Sequence, residues 1–391
     1  MSKPIAIYTS YNIRYPASGH VLAELHYMVG LRQLGYRVVV VEESGQDWAP
    51  CYNPVKNEMT RDPAYGIERL LEVLRRYGLE ECWCYVDSDR KYHGMTAIEL
   101  RGLCRDSAVL FSRANVNWLD EFAECRKRVF VDTDPGFTQF RLSKGRTPSQ
   151  SGYASPFDFH FQFTCGERLG KPDCPVPMHG INWLPTRHPV ALELVPYRFN
   201  PAATHFTTIM SWSSRAPIIF NGEEYGQKNV EFLKVLNMPK LVGPILEVGL
   251  AGSNAPRAEI EAAGWKVVDP RIPTATIESY LDYIAASRGE FSVAVNLSVK
   301  ARTGVITDRA ITYLAAGKPV ILQETGFSEI LPCGEGLLTF RDEAEAVTAI
   351  ETANRDYEKH CRAARRVAEE WFNSDKVLGD LLRQADLPAA S

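Results

Sequence analysis

Apolar residues in this chain fall into short runs that alternate between two periods. Residues 4–10, Pro-Ile-Ala-Ile-Tyr-Thr-Ser, are apolar enough for a buried strand. After a polar loop ending at Gly19, Leu22, Leu25, His26, Val29 and Leu31 recur at helical spacing, so a helix is expected over 20–34. Gly35 closes it. An almost wholly apolar strand over 37–42 completes a βαβ unit, whose crossover should be right-handed. The alternation continues with helices over 65–77 and 96–105 and strands over 82–86, 107–112, 128–132 and 159–164. Each strand is short, apolar and followed by polar residues, as in a sheet covered on both faces.

Residues 185–201 carry four prolines and mixed polarity, which marks a domain boundary. The second half repeats the pattern. Strands are expected over 205–212, 246–249, 266–268 and 291–296, with helices over 229–236, 257–264 and 276–286. In 302–331, RTGVITDRAITYLAAGKPVILQETGFSEIL, Thr307 offers an N-cap and Asp308 a first-turn carboxylate. Gly317 ends the helix, 319–322 reads as a buried strand, and Thr325-Gly326-Phe327 is a loop that follows it. The tail from 342 to 387 is helical and charge-patterned. No fixed-period repeat appears.

With 391 residues, 45% hydrophobic and 24% charged, the chain suffices for two globular domains. A net charge of −4 gives no basic footprint and points away from nucleic acid as partner, although a local patch stays open. The N-terminus is already strand-like, so no export signal is expected, and no apolar run reaches the ~20 residues of a membrane span. Nine scattered cysteines suggest a reducing, cytoplasmic setting. Cys82-Trp83-Cys84 has the wrong gap for a redox pair, and Cys165 and Cys174 lack the second cluster of a zinc site.

The turn, helix, AAGKPVI strand and TGFSEIL loop resemble the nucleotide-sugar-binding core of GT-B glycosyltransferases. The resemblance implies an α/β, GT-B fold: two Rossmann-like domains facing each other across a cleft, with a C-terminal helix crossing back to the first. Residues 1–190 would bind acceptor, 191–365 would bind the nucleotide sugar, and 366–391 would return to the N-terminal domain. The family's ribose-binding Glu is replaced by Thr312, leaving Asp308 or Thr312 for that role. Further segments, VDTDPGFTQ, YGQKNVEFL, Gly166-Glu167, His179-Gly180-Ile181 and Trp183-x-Pro185-Thr186, resemble a group of largely uncharacterised bacterial, family-4-like members of this fold.

By that resemblance His20, beside Gly19, is placed as the base that takes the acceptor's proton; the alternative is a helix-start residue bonded to backbone. Arg215 and Lys228 match the pair that steadies the leaving diphosphate, although the gap between them is long. Arg302 and Arg309 could clamp phosphate, or Arg309 could pair with Asp308 or Glu324. Thr307, Asp308, Thr325, Gly326 and Phe327 join the donor side. Asp132 and Asp134 share one side of a strand end and stand as a metal site, an acid/base pair, an acceptor contact, a partner for His20 or a plain turn. His179 and Glu167 either face the cleft on the acceptor side or belong to the hinge.

The implied reaction transfers a sugar from a nucleoside diphosphate sugar, with a UDP-sugar as the expected donor, to a hydroxyl on a small-molecule or glycan acceptor. No permanent cofactor or metal is expected, and the protein would be a monomer or homodimer. Competing readings are a non-catalytic GT-B-like binding protein, a GT-B-like epimerase or phosphorylase, and a transferase acting on modified nucleic-acid bases.

Overall fold

The computed structural model describes residues 3–45 and 50–387. An eight-stranded sheet runs in the order Leu184–Pro185, Phe161–Thr164, Arg128–Asp132, Val109–Arg113, Ile5–Thr9, Arg37–Glu43, Trp83–Val86, Tyr92–His93, parallel except for the last strand. A six-stranded parallel sheet follows: Lys266–Val268, Leu246–Ala251, Phe206–Ser211, Gly289–Ser292, Val320–Gln323, Leu337–Phe340. In each, the first strand lies centrally and the chain reverses direction beside it. Both are therefore doubly wound sheets with a ligand crevice expected at that reversal, outside the carboxyl ends of the strands.

The chain passes between the sheets from Pro185 to Phe206, the proline-rich stretch. It returns near its end. Helix Tyr357–Val367 packs on helix Asp308–Ala315, a wide i→i+5 turn follows at Ala368–Phe372, and helix Ser374–Gln384 lies against Ser18–Gln33. At the crossing the Val190 N–H donates to Phe372 O at 2.7 Å and the Ser374 N–H donates to Val190 O at 2.9 Å. Gly30 makes the helix contact possible, since a Cβ there would lie 2.6 Å from Leu378 Cδ1 and 2.8 Å from Ser374 Cβ. An added side chain would force repacking that costs typically ~1–3 kcal/mol.

One apolar core joins the two domains. Leu22, Leu25 and Val29 of the first helix and Ile277, Tyr280 and Ile284 of helix Ile277–Ala286 belong to the same buried cluster. The first helix begins at Ser18, two residues earlier than its apolar period suggests, and this puts His20 in its first turn.

Two hairpins, Cys51–Asn53 with Glu58–Thr60 and Ile218–Phe220 with Glu223–Tyr225, escape the sequence reading. Their three-residue strands are too short to show a period of two. The second explains the long gap between Arg215 and Lys228, because it is inserted there. Helices Phe137–Leu142 and Asn296–Ala301, six residues each, are missed for the same reason.

Candidate functional site

The carboxyl ends of the two sheets face a shared cavity of about 1340 Å³. Its N-terminal wall includes Ala17, Gly19, His20, Tyr15 and Tyr52; its C-terminal wall includes Ser211, Gly252, Lys228, Tyr280, Asp308 and Arg309. Gly19 and Tyr280 meet directly across the domain boundary, a Cβ on Gly19 falling 3.5 Å from the tyrosine ring.

His20 and Glu24 are one helical turn apart and share a face. His20 Nε2 lies 3.3 Å from Glu24 Oε1, and the other Glu24 oxygen accepts the Tyr11 N–H at 3.1 Å. Arg113 ends the strand beside Ile5–Thr9, at the reversal point. It lies 3.4 Å from Glu24 Oε1 and 3.5 Å from Asp308 Oδ2 of the other domain. Burial pushes the Glu24 carboxyl up, but His20 and Arg113 outweigh it and hold the group below its ordinary range. Asp308 behaves alike: burial raises it, and His188, Arg113 and the Arg309 N–H more than compensate. His188 and His26 are buried behind this network, and burial drives them down to about 4 and about 3.

Lys228 opens the short helix that follows the inserted hairpin. Among the described residues it forms no hydrogen bond or ion pair, whereas Arg309 has three partners. The Arg309 guanidinium donates to Glu290 Oε1 at 2.6 Å, to Ser292 Oγ at 2.8 Å and to the Ile209 carbonyl. These bonds seat it between the two strands at the C-terminal reversal. Its structural partner is Glu290, not Asp308 or Glu324. Burial, then the Arg309 charge, lowers the Lys228 ammonium to about 7, so an anion arriving here meets a proton-accepting lysine beside a permanent cation.

Thr307 caps helix Asp308–Ala315, its Oγ1 accepting the Ala310 N–H at 3.2 Å, and thereby aims Asp308 at the cavity. Thr312 is buried and donates back to the Asp308 carbonyl at 3.0 Å, so of the two candidates for a ribose contact only Asp308 reaches the space.

Several expected residues are elsewhere. Asp132 is fully buried and does not meet His20: its carboxylate accepts from Thr138 Oγ1 at 2.7 Å, Gln139 Nε2 at 2.8 Å, Thr164 Oγ1 at 2.9 Å and the Asp134 N–H at 3.1 Å. Asp134 and Arg215 pair with each other at 2.8 Å, joining the domains, and Arg215 lies over the Phe137 ring. Arg302 pairs with Asp173 at 2.7 Å and with Glu329, and Arg168 binds the same two carboxylates, a four-residue clasp between domains. Gly304 and Gly326, both at positive φ, make room for Arg168 rather than for a ligand. Thr325 Oγ1 donates to the Val305 carbonyl at 2.9 Å, and Phe327 is core. His179 Nε2 lies 2.8 Å from the Gln139 carbonyl oxygen, and Glu167 pairs with Arg187 at 2.6 Å, so neither lines the cavity.

Sequence reasoning missed Glu24 and Arg113. The spacing of Glu24 from His20 was a usable signal; Arg113 had none, because only strand order brings it to the reversal. All cysteines are free. No group of three or more His, Cys, Asp or Glu side chains placed to hold a metal ion occurs among the described residues, and no helix there is long and apolar enough to cross a membrane.

No known protein-family model matches the chain, and no curated protein sequence does. Solved structures match over nearly its whole length. An alpha-glucosyltransferase in complex with UDP and a 13-mer DNA containing an HMU base is 11% identical, with 99% of this chain and 100% of that chain covered and a TM-score of 0.58. Anabaena HepE in complex with UDP and glucose is 10% identical over 98% and 99%, with a TM-score of 0.55. The sucrose-phosphate synthase of Thermosynechococcus elongatus is 12% identical over 100% of both chains, at 0.50. At such identities the likeness is one of fold, and the chain has the GT-B architecture: two doubly wound domains and a returning C-terminal helix.

Proposed function

We propose that this GT-B chain is a glycosyltransferase that moves a sugar from a nucleoside diphosphate sugar to an acceptor hydroxyl, with the N-terminal domain holding acceptor and the C-terminal domain holding donor. Solved neighbours of the same fold carry UDP, or UDP with glucose, which makes a UDP-sugar the first donor to try. The observation that carries the reading is the composition of the cavity: a histidine backed by a carboxylate on one wall and, on the other, a lysine without a hydrogen-bond or ion-pair partner among the described residues, beside a fixed arginine.

The acceptor oxygen attacks the anomeric carbon as the bond from that carbon to the diphosphate oxygen breaks. His20 takes the acceptor proton; with Nε2 against Glu24, Nδ1 is the nitrogen left for it. The ionised Glu24 stabilises the imidazolium that forms. Lys228 and the Arg309 charge offset the negative charge growing on the departing diphosphate. Asp308 accepts a hydroxyl of the nucleotide's ribose. Contact between the domains keeps out water, which otherwise competes as acceptor.

The test is thermal unfolding against nucleoside diphosphates and their sugars. A ligand at ~100 times its Kd should add ~2.7 kcal/mol of stability. UDP should raise the melting temperature of the wild type and have a smaller effect on Lys228→Ala. His20→Ala should bind the nucleotide normally and turn over at least ~100-fold more slowly. The donor reading fails if no nucleotide shifts the transition, and wild-type turnover in His20→Ala removes that residue from the mechanism.

A further inference from the structure

The two walls of the cavity differ in charge. Lys228, Arg257, Asp269, Arg271, Asp308 and Arg309 all line it from the C-terminal domain, whereas none of its described lining residues from the N-terminal domain is Asp, Glu, Lys or Arg. Among the described residues His20 is the one imidazole on that wall, which is otherwise built from tyrosine, proline, Asn57 and small or aliphatic side chains.

The tyrosines are organised. Tyr11 stands edge-on to His20, at 5.5 Å between ring centres and 88° between planes. Tyr15 lies near-parallel to Tyr11 at 6.4 Å and 21°, and Tyr52 near-parallel to Tyr15 at 5.3 Å and 23°. The run of rings thus starts at the proposed base and leads out to the hairpin Cys51–Thr60. Tyr52 Oη donates to Asn57 Oδ1 at 2.8 Å, which fixes its ring. Tyr15 is 42% exposed, and beyond it Val55 and Met59 are 79% and 56% exposed within the same cavity. Exposed aromatic and aliphatic groups gathered in a cleft mark a surface awaiting an apolar partner.

We propose that Tyr15 and Tyr52 form an acceptor subsite for an uncharged, hydroxyl-bearing ring that lays an apolar face on the tyrosine wall, with its hydroxyl reaching His20. The word acceptor rests on the glycosyltransferase reading; the surface itself does not. Flat rings suit tyrosine faces because dispersion and quadrupole terms add to area burial. Among the described residues no cation lines this wall to meet a phosphorylated or otherwise anionic acceptor; Arg271, whose charge is felt at Tyr52, belongs to the facing wall. Two chemistries share the required shape, an aryl alcohol and the apolar face of a sugar ring.

Saturation-transfer NMR on the full chain, with UDP present, separates them. The probes are 2-naphthol, methyl β-D-glucopyranoside and glycerol, the last lacking a ring. We expect one ring probe or both to bind, glycerol not to, and the double variant Tyr15→Ala/Tyr52→Ala to lose ring binding at least ~10-fold. Binding of naphthol alone makes the acceptor aryl; binding of the glucoside alone makes it a sugar. The proposal is overturned if neither ring probe binds, if glycerol binds equally, or if the alanine variant binds as well as wild type. UDP signals in the same samples report the donor site separately. Ring binding without UDP binding sinks the glycosyltransferase reading and leaves the wall; UDP binding without ring binding does the reverse.

Discussion

Arg113 of the N-terminal domain and Asp308 of the C-terminal domain, which lines the cavity, meet at 3.5 Å, guanidinium to carboxylate. Arg113 is only 7% exposed and also serves Glu24, so one cation links the partner of the proposed base to the proposed ribose contact. The contact between the domains therefore joins both proposed sites through one side chain. The linkage is physical, since one charge is shared by two carboxylates, one of them fully buried.

Removing that cation should be costly in a specific way. Arg113→Met leaves buried Glu24 with only His20 and the Tyr11 N–H and removes its permanent cation, which should lower unfolding free energy by on the order of 3 kcal/mol. Adding Glu24→Gln to the Arg113→Met variant should recover part of the loss, because the buried charge that has lost its permanent cation is gone. Urea unfolding of the two single variants and the double variant measures the coupling. Additivity within ~0.5 kcal/mol would show that the two groups do not interact.

Nucleotide affinity should depend on pH through Lys228. The charged ammonium is the form that pairs with a diphosphate, and in the unliganded protein half of it is lost at about 7. Affinity should be highest below pH 7 and fall by up to ~10-fold per unit above it. Lys228→Met should bind more weakly and lack this fall; the nucleotide's own phosphate titration is common to both proteins. The linkage to stability has the opposite sense. Because the folded pKa lies below the usual 10.5, the unfolded chain binds more protons between about 7 and 10.5. This group's contribution thus becomes more favourable as pH rises, and Lys228→Met should stabilise the free protein most at pH 7 and below. Calorimetric titration of UDP from pH 6 to 9, with melts alongside, checks both signs.

Arg302 and Lys228 were equivalent candidates in sequence and are not equivalent in space. Arg302 is 39% exposed and paired with Asp173 and Glu329 outside the cavity. Arg302→Ala should leave UDP affinity within about twofold of wild type and cost less than ~1 kcal/mol, the range of solvent-exposed pairs. A tenfold loss of UDP affinity would return Arg302 to the donor site.

What sequence could and could not reveal follows from the range of the interactions. The βα alternation and the proline-rich crossing were legible because apolar period and helix stops are local. Lys228, Asp308 and His20, candidates in sequence, line one cavity. Gly326 was misread because its close neighbour, the Arg168 side chain, comes from the other domain. Asp132 looked catalytic because a carboxylate at a strand end is exposed in most local pictures. Only the folded chain supplies Thr138, Gln139 and Thr164 as its donors. Glu24 was readable at i+4 from His20, and Arg113 was not readable at all without strand order.

Those donors make Asp132 a stability residue. Asp132→Ala orphans three buried side-chain groups and should cost several kcal/mol, at ~1–3 kcal/mol for an unsatisfied partner. Asp132→Asn should cost less, because its carbonyl still accepts from some of them. Per folded molecule, turnover of the asparagine variant should stay within a few-fold of wild type. A loss of 100-fold with an unchanged melting temperature would make Asp132 catalytic after all.

Acid should unfold this protein through two histidines. His26 accepts the Ala191 N–H on Nδ1 at 3.2 Å, close to where the chain passes between domains, and His188 is buried nearby. Burial holds them at about 3 and about 4 against an ordinary 6.5, so both stay neutral in the fold over a range where the unfolded chain is protonated. With more protons bound on unfolding, stability rises with pH in that window. It is therefore complete above about 6.5 and is lost progressively as pH falls towards 4. Urea midpoints at pH 7.5 and 5.0 measure the slope. Replacing His188 by Gln should flatten it and replacing both histidines should flatten it further, even if the pH 7.5 midpoint drops. An unchanged slope in the double variant would place the acid-sensitive groups elsewhere; it could not be assigned to Glu42, which burial raises to about 7 and which therefore contributes a slope of the opposite sign.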